Sequence, residues 1–324
     1  MSDNQIEYSN FDKIPVGISS CLLGEKVRFD GGHKGHSYIM GTLGEYFEFK
    51  PFCPELAIGL GIPRKPIRLV REKGSAIRCV EIGNQEKEYT APLQECADAQ
   101  QQWQQALCGY ILKKDSPSCG MERVKIWGKD MPIREGVGIY AGRMMENFPY
   151  LPVEEEGRLG DSVLRENFVQ RVFVMQRWHE MQQSGFSVGG LVDFHARHKL
   201  IIMSHDQSRY RELGRLVAAT DKDNLQDNGQ QYLLDLMAAL KIRATRKNHV
   251  NVLQHIQGYL KSFLDGDDKQ ELVQTIENYR NGLLPLIVPI TLLNHFFRKH
   301  PNDYISNSWY MNPYPAELCL QNSI

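Results

Sequence analysis

Ile14-Pro-Val-Gly-Ile-Ser-Ser-Cys21-Leu-Leu-Gly24 is a short apolar run that stops in a serine–cysteine turn. The pattern recurs twice. Phe47 to Phe52 ends at Cys53-Pro54, and Tyr110-Ile-Leu-Lys113 is followed by Asp115-Ser-Pro-Ser-Cys119-Gly120. Short apolar runs bounded by Gly, Pro and Ser read as strands. Glu95 to Leu112 carries no glycine until Gly109 and is helical in composition. Strands alternating with helices predict an α/β domain built on a central, mostly parallel sheet. Ligands of such sheets sit outside the carboxyl ends of the strands. Three strand ends carrying one thiol each are therefore expected to converge.

Beyond this region the composition changes. From Asn167 onward glycine and proline thin out, and Phe168, Arg171-Val172, Met175 and Trp178 recur at helical spacing. Leu191 to Ala219, Gln230 to Leu264 and Glu271 to Gly282 read the same way, so the second half is expected to be all-α. The stretch Leu151 to Asp161 combines proline, glycine and three consecutive glutamates. It predicts a boundary there, with domains at 1–155 and 156–324, and the acidic run reads as a solvated linker.

A chain of 324 residues with a formal net charge of −1 has no global pull on a polyanion, so any RNA binding needs a local basic patch. The N-terminal MSDNQIEYSNFDK is polar and acidic and does not read as a signal peptide. The apolar run Leu283 to Leu293 is broken by Pro285 and Pro289 and is too short to span a bilayer. A cytoplasmic location is expected. Seven cysteines, an odd number without an export signal, argue against a disulfide framework.

Cys21, Cys53 and Cys119 share a setting after a strand and inside a turn. Cys79, Cys96, Cys108 and Cys319 lie within regular pattern and read as packing residues. Three thiolates can serve zinc or an iron–sulfur cluster, and all seven cysteines can also be buried small apolar groups. The double glycine Gly31-Gly32 permits a turn with positive φ, around which Arg28, Asp30, His33 and Lys34 can read a ligand edge or hold a phosphate. Arg64 and Arg68 are further phosphate candidates. Ser116 and Ser118 flank Pro117, and a hydroxyl there can donate to a substrate or carry a proton. Of His195, His198 and His205, the first two can share a helix face, but no carboxylate completes a metal pattern and packing is the expected role. The densest basic segment holds Lys241, Arg243, Arg246 and Lys247, which at helical spacing form a candidate RNA-binding patch or a solvated face. Trp309, Tyr310 and Tyr314 can stack bases or dock a tail onto the core.

The stretches Cys21-Leu-Leu-Gly24, Val27-Arg-Phe-Asp-Gly-Gly-His-Lys34, Cys53-Pro-Glu55, Gly59-Leu-Gly-Ile-Pro-Arg64, Pro66-Ile-Arg-Leu69 and Ser116-Pro-Ser-Cys-Gly120 resemble the thiouracil desulfidase family over roughly residues 12 to 150. Phe194-His195, Arg197-His-Lys-Leu200, Tyr210 with Leu213-Gly214, and Asn312-Pro-Tyr-Pro315 resemble a helical domain often fused to it. The fused arrangement is similar to bacterial desulfidases that remove sulfur from 4-thiouridine in RNA. The resemblance implies a [4Fe-4S] cluster held by Cys21, Cys53 and Cys119, with one iron free of protein ligands. It implies a hydrolytic, non-redox reaction on a thiolated uracil as base, nucleoside or tRNA, releasing sulfide, with Glu55 as the base and a serine of the 116–118 motif taking part. Three rivals stand beside it: another cluster-dependent hydro-lyase, a non-catalytic RNA-binding protein with a structural metal, and a sulfur-inserting enzyme. The last normally needs ATP, and the sequence has no G-x-x-x-x-G-K-[ST] loop.

Overall fold

The computed structural model describes residues 13–322 apart from 73, 130 and 319, so the N-terminal dozen and Cys319 lie outside the described residues. The chain clusters into two compact units, Met1–Gly160 and Asp161–Ile324.

The first unit runs β1 (Ile14–Ser19), α1 (Ser37–Met40), β2 (Phe47–Phe52), α2 (Pro54–Ala57), β3 (Ile67–Val70), β4 (Arg78–Glu81) and β5 (Asn84–Glu88). It continues with α3 (Thr90–Ala99), α4 (Gln101–Gln104), β6 (Gly109–Leu112), β7 (Val124–Trp127), β8 (Ile133–Gly136), α5 (Ile139–Asn147) and β9 (Val153–Glu155). Four strands form an all-parallel sheet in the order β2-β1-β6-β9. Pro51 is tolerated because β2 is an edge strand, where a missing N–H costs no ladder bond. Gly17 is required in β1 because a Cβ there would lie 2.4 Å from the Tyr110 ring on β6.

The three predicted strands are all present in this sheet. A second sheet, in the order β5-β4-β3-β7-β8, is mixed and was not foreseen. Its strands are four or five residues long, too short for alternation to stand out from loop sequence. One apolar cluster packs α5 residues Ala141 and Met144 against Tyr110, Leu112 and Val153 of the parallel sheet. Another packs Leu93 and Ala97 of α3 and Tyr140 of α5 against Ile67, Leu69, Cys79, Val124 and Ile126 of the mixed sheet. Each fully buried Leu, Ile or Val contributes about 1.5–3 kcal/mol, so α5 fastens the loops between β6 and β9 firmly.

The acidic run is not a solvated linker. Glu154 and Glu155 lie on β9 and are 3% and 2% exposed. Burial is tolerated because each carboxylate is met. Arg158 Nε donates to Glu154 at 2.6 Å, and the Met121 amide donates to Glu155 at 2.9 Å. Burial raises the Glu155 carboxyl above its usual range. Glu156 pairs with Lys113.

The second unit is helical, as expected from its 3.6-residue periodicity. It holds α6 (Ser162–Gln183), α7 (Val188–His205), α8 (Gln207–Ala218), α9 (Leu225–Lys241), α10 (Arg246–Gly258), α11 (Gly266–Arg280), α12 (Ile287–Lys299) and α13 (Asp303–Ser306). Asp161, Ser187, Asp206, Thr245 and Asp265 cap α6, α7, α8, α10 and α11 through their side-chain oxygens. No helix among the described residues is long and apolar enough to cross a membrane.

Candidate functional site

Each thiol-bearing turn follows directly from strand connectivity. β2, β1 and β6 are adjacent and parallel, so their carboxyl ends share one edge of the sheet. The chain moves from β1 to β2 on one side and returns at β6 on the other, and a cleft opens where the order reverses. Cys21 sits in a 3-10 turn after β1, Cys53 caps α2 after β2, and Cys119 lies in the turn after β6. All three line one cavity of about 400 Å³.

The thiols feel one another. Burial raises the Cys21 thiol to about 11, against the pull of Lys113 and Arg28, and Cys53 adds to the rise. Burial likewise raises Cys53, and it raises Cys119 furthest, again with Cys53 adding to the effect. Soft sulfur donors in a buried cleft fit a thiophilic metal group, which takes them as thiolates. Among the described residues no group of three or more His, Cys, Asp or Glu is close enough to hold a single metal ion. A polynuclear cluster is one such thiophilic group, and it binds each thiolate through a different metal. Cys79 and Cys96 pack in the α3 cluster and Cys108 is buried ahead of β6.

One wall of the cavity is a continuous hydrogen-bonded chain. Ser118 Oγ donates to Glu55 Oε1 at 2.7 Å. Arg64 donates to Glu55 Oε2 from Nε at 2.8 Å and from Nη2 at 2.7 Å. Arg64 also donates to the carbonyls of Gly61 and Val27, at 2.9 and 3.0 Å. Its side chain is 6% exposed, and that of Glu55 is 14% exposed. A guanidinium so occupied is not the phosphate contact anticipated for Arg64; it holds Glu55 in place. Helix α2 is a single turn, so its dipole is a minor partner for Glu55 beside this fork.

The two serines separate by role. Ser116 Oγ accepts from the amides of Ser118 and Cys119, at 3.3 and 3.1 Å, and so shapes the turn. Ser118 Oγ lies 2.9 Å from Ser116 Oγ and 3.6 Å from the Cys119 sulfur, and it reaches Glu55. The turn is clamped from below. Gly138 and Ile139 amides donate to the carbonyls of Gly120 and Pro117, at 2.8 and 3.0 Å.

The glycine loop splits. Arg28 and Lys34 line the cavity, and the Lys34 amide donates to the Cys21 carbonyl at 2.8 Å. Gly31 takes φ +72, the turn conformation anticipated. Asp30 and His33 do not line the cavity; Asp30 Oδ1 accepts from the Gly32 amide and His33 Nδ1 from the Gly35 amide, so both serve the turn. Sequence reasoning missed Lys113, Lys114 and Ser19. The amide of Lys113 donates to Ser19 Oγ at 3.0 Å, and the amide of Lys114 donates to Glu156 at 2.7 Å. These contacts join the ends of β1, β6 and β9, and no local signal marks them.

In the helical unit the basic segment is not one helix. α9 ends at Lys241, and α10 begins at Arg246 behind its Thr245 cap. Lys241, Arg243, Arg246 and Lys247 therefore do not share the helical spacing expected of them. Lys241, Arg243 and Lys247 are exposed, and Arg246 is half-buried over the Tyr279 ring. His195, His198 and His205 are buried against Tyr232, the Phe194 carbonyl and Gln170. Tyr310 and Tyr314 are buried, bonded to His249 and Glu166, and Trp309 is held between Arg177 and Arg197. These aromatics dock the tail.

The family described as 2-thiouracil desulfurase matches residues 16–156. A family described as a protein of unknown function, DUF1722, matches residues 199–315. The uncharacterized protein YbgA of Escherichia coli (strain K12) is 33% identical over 154 residues, which are 47% of this chain and 91% of YbgA. A solved structure described as the [4Fe-4S]-dependent thiouracil desulfidase TudS is 29% identical, with a TM-score of 0.37, over 47% of this chain and 95% of that one.

Proposed function

Residues 16–156 belong to the 2-thiouracil desulfurase family, and from that premise we propose that the chain is a hydrolytic desulfidase that converts the thiocarbonyl of a uracil to a carbonyl. The observation that carries this reading is the chain Arg64–Glu55–Ser118, which ends beside the Cys119 thiol. Cys21, Cys53 and Cys119 would hold a [4Fe-4S] cluster, which supplies a Lewis-acidic iron with no protein ligand for the substrate sulfur. The remaining work falls to side chains. Water adds to the ring carbon, the carbon–sulfur bond breaks and hydrogen sulfide leaves, so no oxidant or reductant is consumed.

Glu55 is the acceptor of the water proton. Ser118 already donates to Glu55, so it can take a proton from water while passing its own to Oε1. Arg64 keeps the carboxylate aimed through two donors to the opposite oxygen. Arg28, Lys34 and Lys113 bring positive charge to the cavity, suited to a uracil carbonyl that gains electron density. The fuller reading extends the substrate to 4-thiouridine in RNA, with the helical unit adding phosphate contacts through its basic segment at 241–247.

The test is anaerobic purification followed by loss of 2-thiouracil and 4-thiouridine. Glu55→Gln is expected to keep iron and sulfide content and to lower turnover by roughly a hundredfold or more, the weight of a positioned base. Unchanged turnover in that variant would remove Glu55 from the chemistry, and failure of the wild type on both substrates would sink the desulfidase reading.

A further inference from the structure

The helical unit holds a second cavity, of about 160 Å³, lined where α6, α7, α10 and α11 meet. Its charged lining consists of Arg243, Arg246 and Glu166, with His205 and His249 beside them. The balance is positive. Among the described residues no ion pair joins Glu166 to either arginine; its Oε1 accepts from Tyr314 Oη at 2.6 Å. Burial raises the Glu166 carboxyl to about 7, so near neutral pH it is partly uncharged.

The arginines are poorly compensated. Arg246 donates Nη1 to the Tyr279 carbonyl at 2.8 Å and lies over the Tyr279 ring, which leaves Nε and Nη2 for another partner. Arg243 has no hydrogen-bond or ion-pair partner among the described residues. His249 Nδ1 shares a hydrogen bond with Tyr310 Oη at 2.8 Å. α10, thirteen residues long, begins at Arg246 behind its Thr245 cap, which accepts from the Asn248 amide at 3.2 Å, and brings the positive end of its dipole there.

We propose that this cavity is a binding site for a phosphomonoester, with Arg243 and Arg246 as its charge partners. A fork of guanidinium donors matches tetrahedral oxyanion geometry. Charge selects the kind of phosphate. Two guanidiniums match the second negative charge that a phosphomonoester carries near neutral pH, whereas an internal phosphodiester brings only one. The site does not depend on the desulfidase chemistry, but it takes Arg243 and Arg246 from the basic segment assigned above to RNA contacts; Lys241 and Lys247 do not line the cavity.

The sources of such a group, a free nucleotide or a 5′-phosphorylated RNA end, are separated by titrating the full chain with 5′-UMP, uridine, and one RNA hexamer with and without its 5′-phosphate. Calorimetry is expected to show 5′-UMP binding and none for uridine. Arg243→Gln, an exposed position that keeps the fold, is expected to weaken 5′-UMP at least tenfold. Lys241→Gln with Lys247→Gln is expected to change it less than twofold. A phosphorylated hexamer that binds at least tenfold tighter than the hydroxyl form, lost in Arg243→Gln, assigns the RNA end; 5′-UMP binding alone assigns the free nucleotide. No 5′-UMP binding by the wild type, or equal binding by Arg243→Gln, overturns the proposal.

Discussion

Gly138 offers a purely steric probe of the candidate site. Its φ and ψ of −60° and 137° are open to any residue, so alanine there brings no backbone strain. The obstacle is what its Cβ would meet: the Ser118 carbonyl carbon at 2.6 Å, and the Gly120 nitrogen and Ser118 oxygen at 2.7 Å. These are backbone atoms and cannot rotate away. Restoring ordinary contact at 3.4 Å moves the turn by roughly 0.8 Å. The bonds from the 138 and 139 amides to Gly120 and Pro117 lengthen with it. Overpacking of this kind costs about 1–3 kcal/mol. A shift near 1 Å in a positioned group costs about 10²-fold in rate. Gly138→Ala is therefore expected to lose about 1–3 kcal/mol in urea unfolding and about a hundredfold in turnover of thiouracil. Gly160→Ala, where a Cβ meets open space, is the control and should match the wild type. Turnover within twofold of wild type in Gly138→Ala would show that the Ser118–Cys119 turn need not stay where α5 holds it.

Replacing Cys21, Cys53 or Cys119 by Ala is expected to remove bound iron and sulfide from anaerobically prepared protein, while a Cys79, Cys96 and Cys108 triple change keeps them; the reverse outcome in metal analysis would move the ligand set. Glu166 makes stability fall with rising pH. Its carboxyl sits at about 7 in the folded chain against an ordinary 4.5, so the unfolded chain ionises first. Stability contributed by the neutral form is fully present below 4.5 and is lost as pH climbs through 7, by up to about 3 kcal/mol. Glu166→Gln keeps an acceptor for Tyr314 and is expected to erase that loss, so its advantage over wild type should grow between pH 4.5 and 7.5 in unfolding of the helical unit. A constant difference across that range would count against a raised Glu166.

Sequence by itself determined the parts that local forces decide. Apolar runs ending in serine, proline and glycine gave strands that stop at thiols, since pleat and turn preferences act over a few residues. The 3.6-residue apolar period gave the helical half. Local pattern also misled where a distant partner prevailed. Three consecutive glutamates read as solvated, yet Arg158, Lys113 and a backbone amide met them and the first two entered the sheet. The run from Gln230 to Leu264 read as continuous helix, yet it breaks at 242–245, where Thr245 starts a new one. Only tertiary structure placed β1 between β2 and β6, and with that order came one cavity for three thiols far apart in sequence. It alone joined Ser118 to Glu55 across 63 residues and folded Arg64 back onto the same carboxylate. Such contacts are chosen by chain topology and by the cost of leaving a buried charge unmet, and neither acts at the range a sequence pattern records.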